Sequence, residues 1–242
     1  MIINSSIDLN VLLENNKVLT KEYENNLLMQ LLKSNLIQEK HIRERLLDCI
    51  QVFSDYFQKV VMLRYIFSDN SKFSSVTHQH LNEEYGHNTF LNQDRHYRPS
   101  VWDPILEATG SWFAWKMFTL DAEEKTVLVH FVLEASAQLF FKRAHQVMDQ
   151  YQETQYFKLH FEIDEQHEEM GTALLQGLTT EKYQQLQKIQ CQGWKILNTA
   201  CEQIAKLTQP NKKKKKSGLP VLARYVKHSN CFNRCASLTT SI

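Results

Sequence analysis

Tyr156-Phe-Lys-Leu-His-Phe-Glu-Ile-Asp-Glu-Gln-His-Glu-Glu-Met170 is the stretch on which the reading of this chain turns. It holds His160, Asp164 and His167 at i, i+4 and i+7, a spacing that stacks three side chains on one face of a helix over two turns. Two imidazoles and a carboxylate on one face form half of a site for iron, manganese or zinc. The same segment carries Glu162, Glu165, Glu168 and Glu169, so it also fits a charged, solvated helix face. The rest of the chain decides between the two.

The surroundings are those of an all-α protein. Six Gly and four Pro in 242 residues leave few tight turns and favour long helices over hairpins. Ile42, Leu46, Leu47, Ile50, Phe53, Phe57, Val60, Val61, Leu63 and Ile66 recur near the helical period, and they predict one long amphipathic helix over 37–67. Shorter helices are expected before it. Ser68 to Ser71 reads as a break, followed by a helix over 72–88 and a polar, turn-like segment over 88–99. The aromatic stretch 101–120 (Trp102, Trp112, Phe113, Trp115, Phe118) is expected to pack into the core. A further helix runs from Thr179 to about Leu207, and Pro210 ends the domain.

Val127 to Phe141 is apolar nearly all round, the mark of a buried helix. Within it His130, Glu134 and Gln138 are spaced by four. A buried carboxylate is costly unless it is paired or bound to a metal, so Glu134 requires a partner: Lys142, Arg143, His130 or a metal. Glu84-x-x-His87 places a second carboxylate and imidazole three residues apart, and Glu-x-x-His with a lone Glu from another helix recurs in di-iron carboxylate bundles. The assembled candidate ligands are Glu84, His87, Glu134, His160, Asp164 and His167. His96 is the alternative to His87, and His80 and His130 are outer possibilities.

These residues resemble the heme-oxygenase-like di-iron oxidases and oxygenases, the iron-containing redox enzymes, over roughly residues 37 to 207. The His160-x3-Asp164-x2-His167 element carries the resemblance most specifically. It implies a heme-oxygenase-like bundle of about seven helices, two Fe(2+) per chain with manganese as a substitute, and O2 as co-substrate. Such enzymes oxidise a small molecule, as in fatty-acid decarboxylation or N-oxygenation, or consume one of their own side chains, as in a self-sacrificing synthesis of para-aminobenzoate. Tyr23, Tyr85 and Tyr156 are candidates for the latter. The competing reading is a non-catalytic helical binding or effector protein that keeps the fold.

Charge and cysteines bound the partners. Residues 211–242 hold eight Lys/Arg, five of them consecutive lysines, and no Asp/Glu; the preceding 210 carry 20 basic and 27 acidic residues, a net of −7. An acidic body is a poor nucleic-acid platform, so no nucleic-acid partner is expected. The tail reads as a disordered basic segment, with weak membrane contact as the alternative. The five cysteines include no CxxC pair, and together with the lack of a signal peptide or an apolar span they predict a cytoplasmic protein with free thiols. Homodimerisation is compatible with all of this.

Overall fold

A computed structural model describes residues 8–68, 71–151, 154–163 and 167–209, without the side chains of residues 71 and 161–170. The helices are α1 (Leu9–Tyr23), α2 (Leu27–Lys33), α3 (Lys40–Ile66), α4 (Ser71–Glu84), α5 (His87–Asp94), α6 (Pro104–Thr119), α7 (Ala122–Leu128), α8 (Ala135–Met148), α9 (Gln155–Ile163), α10 (His167–Leu174) and α11 (Thr180–Thr208). A 3₁₀ turn, Asn35–Gln38, precedes α3, and a π-helical turn, Val129–Glu134, joins α7 to α8. Among the described residues there is no strand, and no helix is long and apolar enough to cross a membrane. The basic segment 210–242 lies outside the described residues.

Local signals in the chain set the helix starts. Asp103 caps α6 by accepting from the backbone N–H groups of Ile105 and Leu106, and Pro104 occupies the first turn, where its missing N–H costs nothing. Asp121 and Glu124 form a reciprocal capping box at α7. Thr179 accepts from Lys182 N–H to open α11.

Packing then follows the apolar faces. The long α3 lies against α4, α5, α6 and α11, and α11 also covers α1, α2 and α7. Val127, Leu128, Val129, Phe131 and Val132 are completely buried, as an all-round apolar helix requires. Close approach between α3 and α6 depends on Gly110, since a Cβ there would collide with the Tyr56 ring. On the far side, Asn16 Oδ1 accepts from both Gln190 Nε2 and Trp194 Nε1, each at 3.1 Å, and locks α1 onto α11.

Two expectations are corrected. The segment 88–99 is not all turn: its first half is α5, because Gly86 (φ +86°) ends α4 and lets a new helix begin at His87. The aromatic stretch is only partly core. Phe113 is buried, whereas Trp102, Trp115 and Phe118 are exposed, because α6 is apolar on both faces and only one face meets α3 and α11.

Candidate metal centre

Four of the residues singled out in the sequence converge on the inner faces of α4, α5, α9 and the π-helical turn. Glu84 is the last residue of α4 and His87 the first of α5. They are not on one continuous helix face, as their spacing suggests; the left-handed Gly86 lies between them. Gln58 of α3 clamps this turn, donating to the Glu84 carbonyl (2.7 Å) and accepting from Gly86 N–H (2.8 Å). The turn brings His87 Nδ1 to 3.2 Å from Glu84 Oε2. Glu134 ends the π-helical turn. Such a turn inserts a residue into a helix and re-aims the side chains that follow, and it often marks functional sites.

His160 approaches from α9. Its Nδ1 lies 2.8 Å from the Tyr156 carbonyl oxygen. A carbonyl only accepts, so Nδ1 carries the proton and Nε2 presents a lone pair. That lone pair is 3.8 Å from Glu84 Oε2. Phe141 stacks on the imidazole at 4.2 Å. Burial pushes the His160 pKa below its ordinary value, against the opposing pull of Glu84, so the ring is held neutral.

Ligand-capable atoms of Glu84, His87 and His160 all lie within 4.8 Å of one another, as do those of His80, Glu84 and Glu134. The two groups share Glu84, and every member is buried. His80, one helical turn before Glu84, is the partner that burial of Glu134 demanded: Nε2 and Oε1 are 2.9 Å apart. The pattern His80-x3-Glu84 on one face of α4 was the signal in the sequence. Lys142 is exposed, and His130 is fully buried beside His80, its ring packed where a Cβ on Gly171 would intrude.

His96 takes no part in these groups: it is exposed, in a left-handed turn (φ +53°) that follows α5. Asp164 lies outside the described residues; His167 begins α10, and its side chain is likewise outside them.

The donor set fits a metal. His160 Nε2 and Glu84 Oε2 are two buried acceptors facing each other. His87 Nδ1 has no hydrogen-bond partner among the described residues despite its closeness to Glu84. Carboxylates and imidazoles without thiolate suit iron, manganese or zinc, and a cation would satisfy all three residues at once.

A small, mostly apolar pocket of about 80 Å3 opens beside the cluster. Glu84, Glu134 and His160 line one part; Phe53, Phe57, Phe140 and Phe141 are among its walls, and Tyr23 and Cys201 line it from α1 and α11. The aromatic residues of 101–120 contribute nothing to it. Of the three tyrosines noted in the sequence, Tyr23 and Tyr156 reach the pocket and Tyr85 is exposed.

Comparison with known proteins identifies the fold and the family. Uncharacterized protein RP592 of Rickettsia prowazekii (strain Madrid E) is 32% identical over 200 residues, covering 83% of this chain and 96% of that protein. A crystal structure of a domain of unknown function with a heme oxygenase-like fold, from Shewanella denitrificans OS217, superposes with a TM-score of 0.63 at 17% identity. It covers 84% of this chain and 94% of that one, and establishes the heme oxygenase-like fold. The family model for iron-containing redox enzymes matches residues 71–200, more than half of the chain and the part that carries Glu84, His87, Glu134 and His160. The chain therefore belongs to the iron-containing redox enzyme family.

Proposed function

We propose that this protein is a non-heme di-iron oxidase or oxygenase that uses O2 to oxidise a small, largely apolar molecule. The observation that supports it is the buried cluster of Glu84, His87 and His160, with a second carboxylate, Glu134, within 4.8 Å of Glu84. Glu84, His87, Glu134 and His160 would hold the metal, with Asp164 and His167 completing the set. Bound iron supplies the redox chemistry toward dioxygen. The chain's own residues do the rest. Glu84 and Glu134 neutralise the metal charge in a site that water reaches poorly, Tyr156 holds His160 in its coordinating tautomer, and Phe53, Phe57, Phe140 and Phe141 select an apolar substrate by burial. Among the described residues the pocket lining includes no Lys or Arg, so a charged group on the substrate would have the metal end as its partner.

A specific observation favours a second reading of the same centre. Tyr23 is buried and lies in the pocket wall with Cys201, a position from which it can itself be the oxidised group. The experiment is anaerobic iron loading, measurement of bound metal, and exposure to air with optical and mass detection. About two irons per chain and a transient visible absorption support the di-iron reading. A mass change confined to the Tyr23 peptide selects the self-oxidising form. Iron content equal to that of His160→Ala refutes the metal centre and returns the protein to a non-catalytic binding role.

A further inference from the structure

Of the histidines that face the carboxylates of this centre, His160 and His80 are turned opposite ways by the groups behind them. Behind His160 stands a carbonyl, which accepts; the ring therefore shows the cluster a lone pair. Behind His80 stands Arg64, whose Nη1 lies 3.5 Å from His80 Nδ1. A guanidinium has donors only. Arg64 is 2% exposed and is held on its other side by Nη2 donating to Thr126 Oγ1 (3.4 Å), a hydroxyl that in turn donates to the Ala122 carbonyl (2.8 Å). Burial lowers its pKa only to about 10, with Glu134 opposing the shift, so it is charged at neutral pH.

An Nδ1 that accepts from Arg64 carries no proton, so the ring proton of His80 is on Nε2. That nitrogen is the one 2.9 Å from Glu134 Oε1, and it donates. An imidazole nitrogen that carries a proton has no lone pair for a metal.

We infer that His80 is a positioning residue and not a metal ligand: Arg64 fixes its tautomer, and its Nε2–H holds one oxygen of Glu134 so that the other is presented to the metal. This rests on the reading of Glu134 as a ligand. It sets His80 apart from Glu84, His87, Glu134 and His160, although His80 Nε2 stands as close to Glu134 (2.9 Å) as His87 Nδ1 does to Glu84 (3.2 Å). It also gives the buried guanidinium a role: Arg64 acts on the centre through an imidazole and a carboxylate.

The test has two parts on the full chain. In the metal-free wild type, long-range 1H–15N correlation of the His80 ring should show Nε2 protonated and Nδ1 bare; the reverse pattern overturns the proposal whether or not any variant folds. In anaerobic iron titrations, His80→Gln should bind as many irons as wild type, because its amide N–H can donate to Glu134. His80→Ala should need about 10–100-fold more iron to reach the same stoichiometry, the usual effect of removing a group that orients a ligand. Loss of an iron equivalent in both His80 variants, not recovered at excess iron, overturns the positioning role. His160→Ala and Glu134→Ala run in parallel: if both bind iron like wild type, it is the metal centre itself that fails.

Discussion

The Tyr156 carbonyl accepts from His160 Nδ1 at 2.8 Å, across a single turn of α9. This hydrogen bond within one helix decides which nitrogen of His160 carries the proton, and so leaves the nitrogen that faces Glu84 with a lone pair. Chemistry in the bundle interior thus begins with a local helical contact, and it leads to predictions about metal, pocket, thiols and packing.

Metal binding should stabilise the fold through these residues. A ligand that binds only the folded chain adds about 4 kcal/mol at a thousandfold excess over its Kd. Anaerobic Fe(II) or Mn(II) should therefore raise the denaturant midpoint of wild type and leave that of Glu84→Ala nearly unmoved, with far-UV circular dichroism alike in both. An equal rise in the two proteins would show that the cation binds elsewhere.

The pocket should be separable from the metal. Ala137 lines the pocket without a ligand-capable side chain, so Ala137→Trp fills apolar space and touches no donor. We expect wild-type iron content in this variant, together with at least a tenfold loss of affinity for a small apolar ligand such as indole, followed by calorimetry, since a ligand displaced from burial forfeits roughly 25 cal/mol per Å2 of contact. Undiminished indole binding would place the apolar site outside this pocket.

Alkaline pH should destabilise the protein through its buried acids. Burial pushes the Cys201 thiol up to about 12 and Cys49 up to about 11, from an ordinary value of 9.0; Tyr23 is also raised, mainly by burial. The folded pKa values exceed the unfolded ones, so the unfolded chain releases these protons first. Stability is full below about pH 9 and falls as pH rises toward 11 to 12, by up to about 1.4 kcal/mol per pH unit for each group. Unfolding free energies at pH 8, 9.5 and 10.5 should show this decline, and Cys201→Ala should make it shallower. A slope unaffected by that substitution would rule out Cys201 as a contributor.

Gly110→Ala should cost about 1–3 kcal/mol, the usual penalty of overpacking, because the new methyl meets the Tyr56 ring between α3 and α6. Gly110→Ala combined with Tyr56→Ala should recover part of that loss in chemical denaturation. Full additivity of the two costs would mean the helices do not meet at this point.

Much of the architecture was readable from spacing alone. The period of α3, the all-round apolar stretch of Val127 to Phe141 and the caps at Asp121 and Thr179 are local matters, set by propensity and by which side chains reach which backbone groups within a few residues. Glu84, His87, Glu134 and His160 could be nominated for the same reason: a buried carboxylate needs a partner, and helical spacing restricts where one can come from. What the linear chain could not show was how the helices meet. Gly86 breaks the expected helix and sets Glu84 and His87 on two axes. Packing leaves Trp102 and Trp115 in solvent while Phe140 and Phe141 wall the pocket. Most of all, the role of each histidine depends on what stands behind it, a carbonyl four residues away for His160 but a guanidinium 16 residues away for His80. Spacing along the chain nominated Glu84, His87, Glu134 and His160, which the fold gathers into one buried cluster. Which of their atoms face one another was settled by helix packing, because the proton on an imidazole is placed by partners that the fold brings to it.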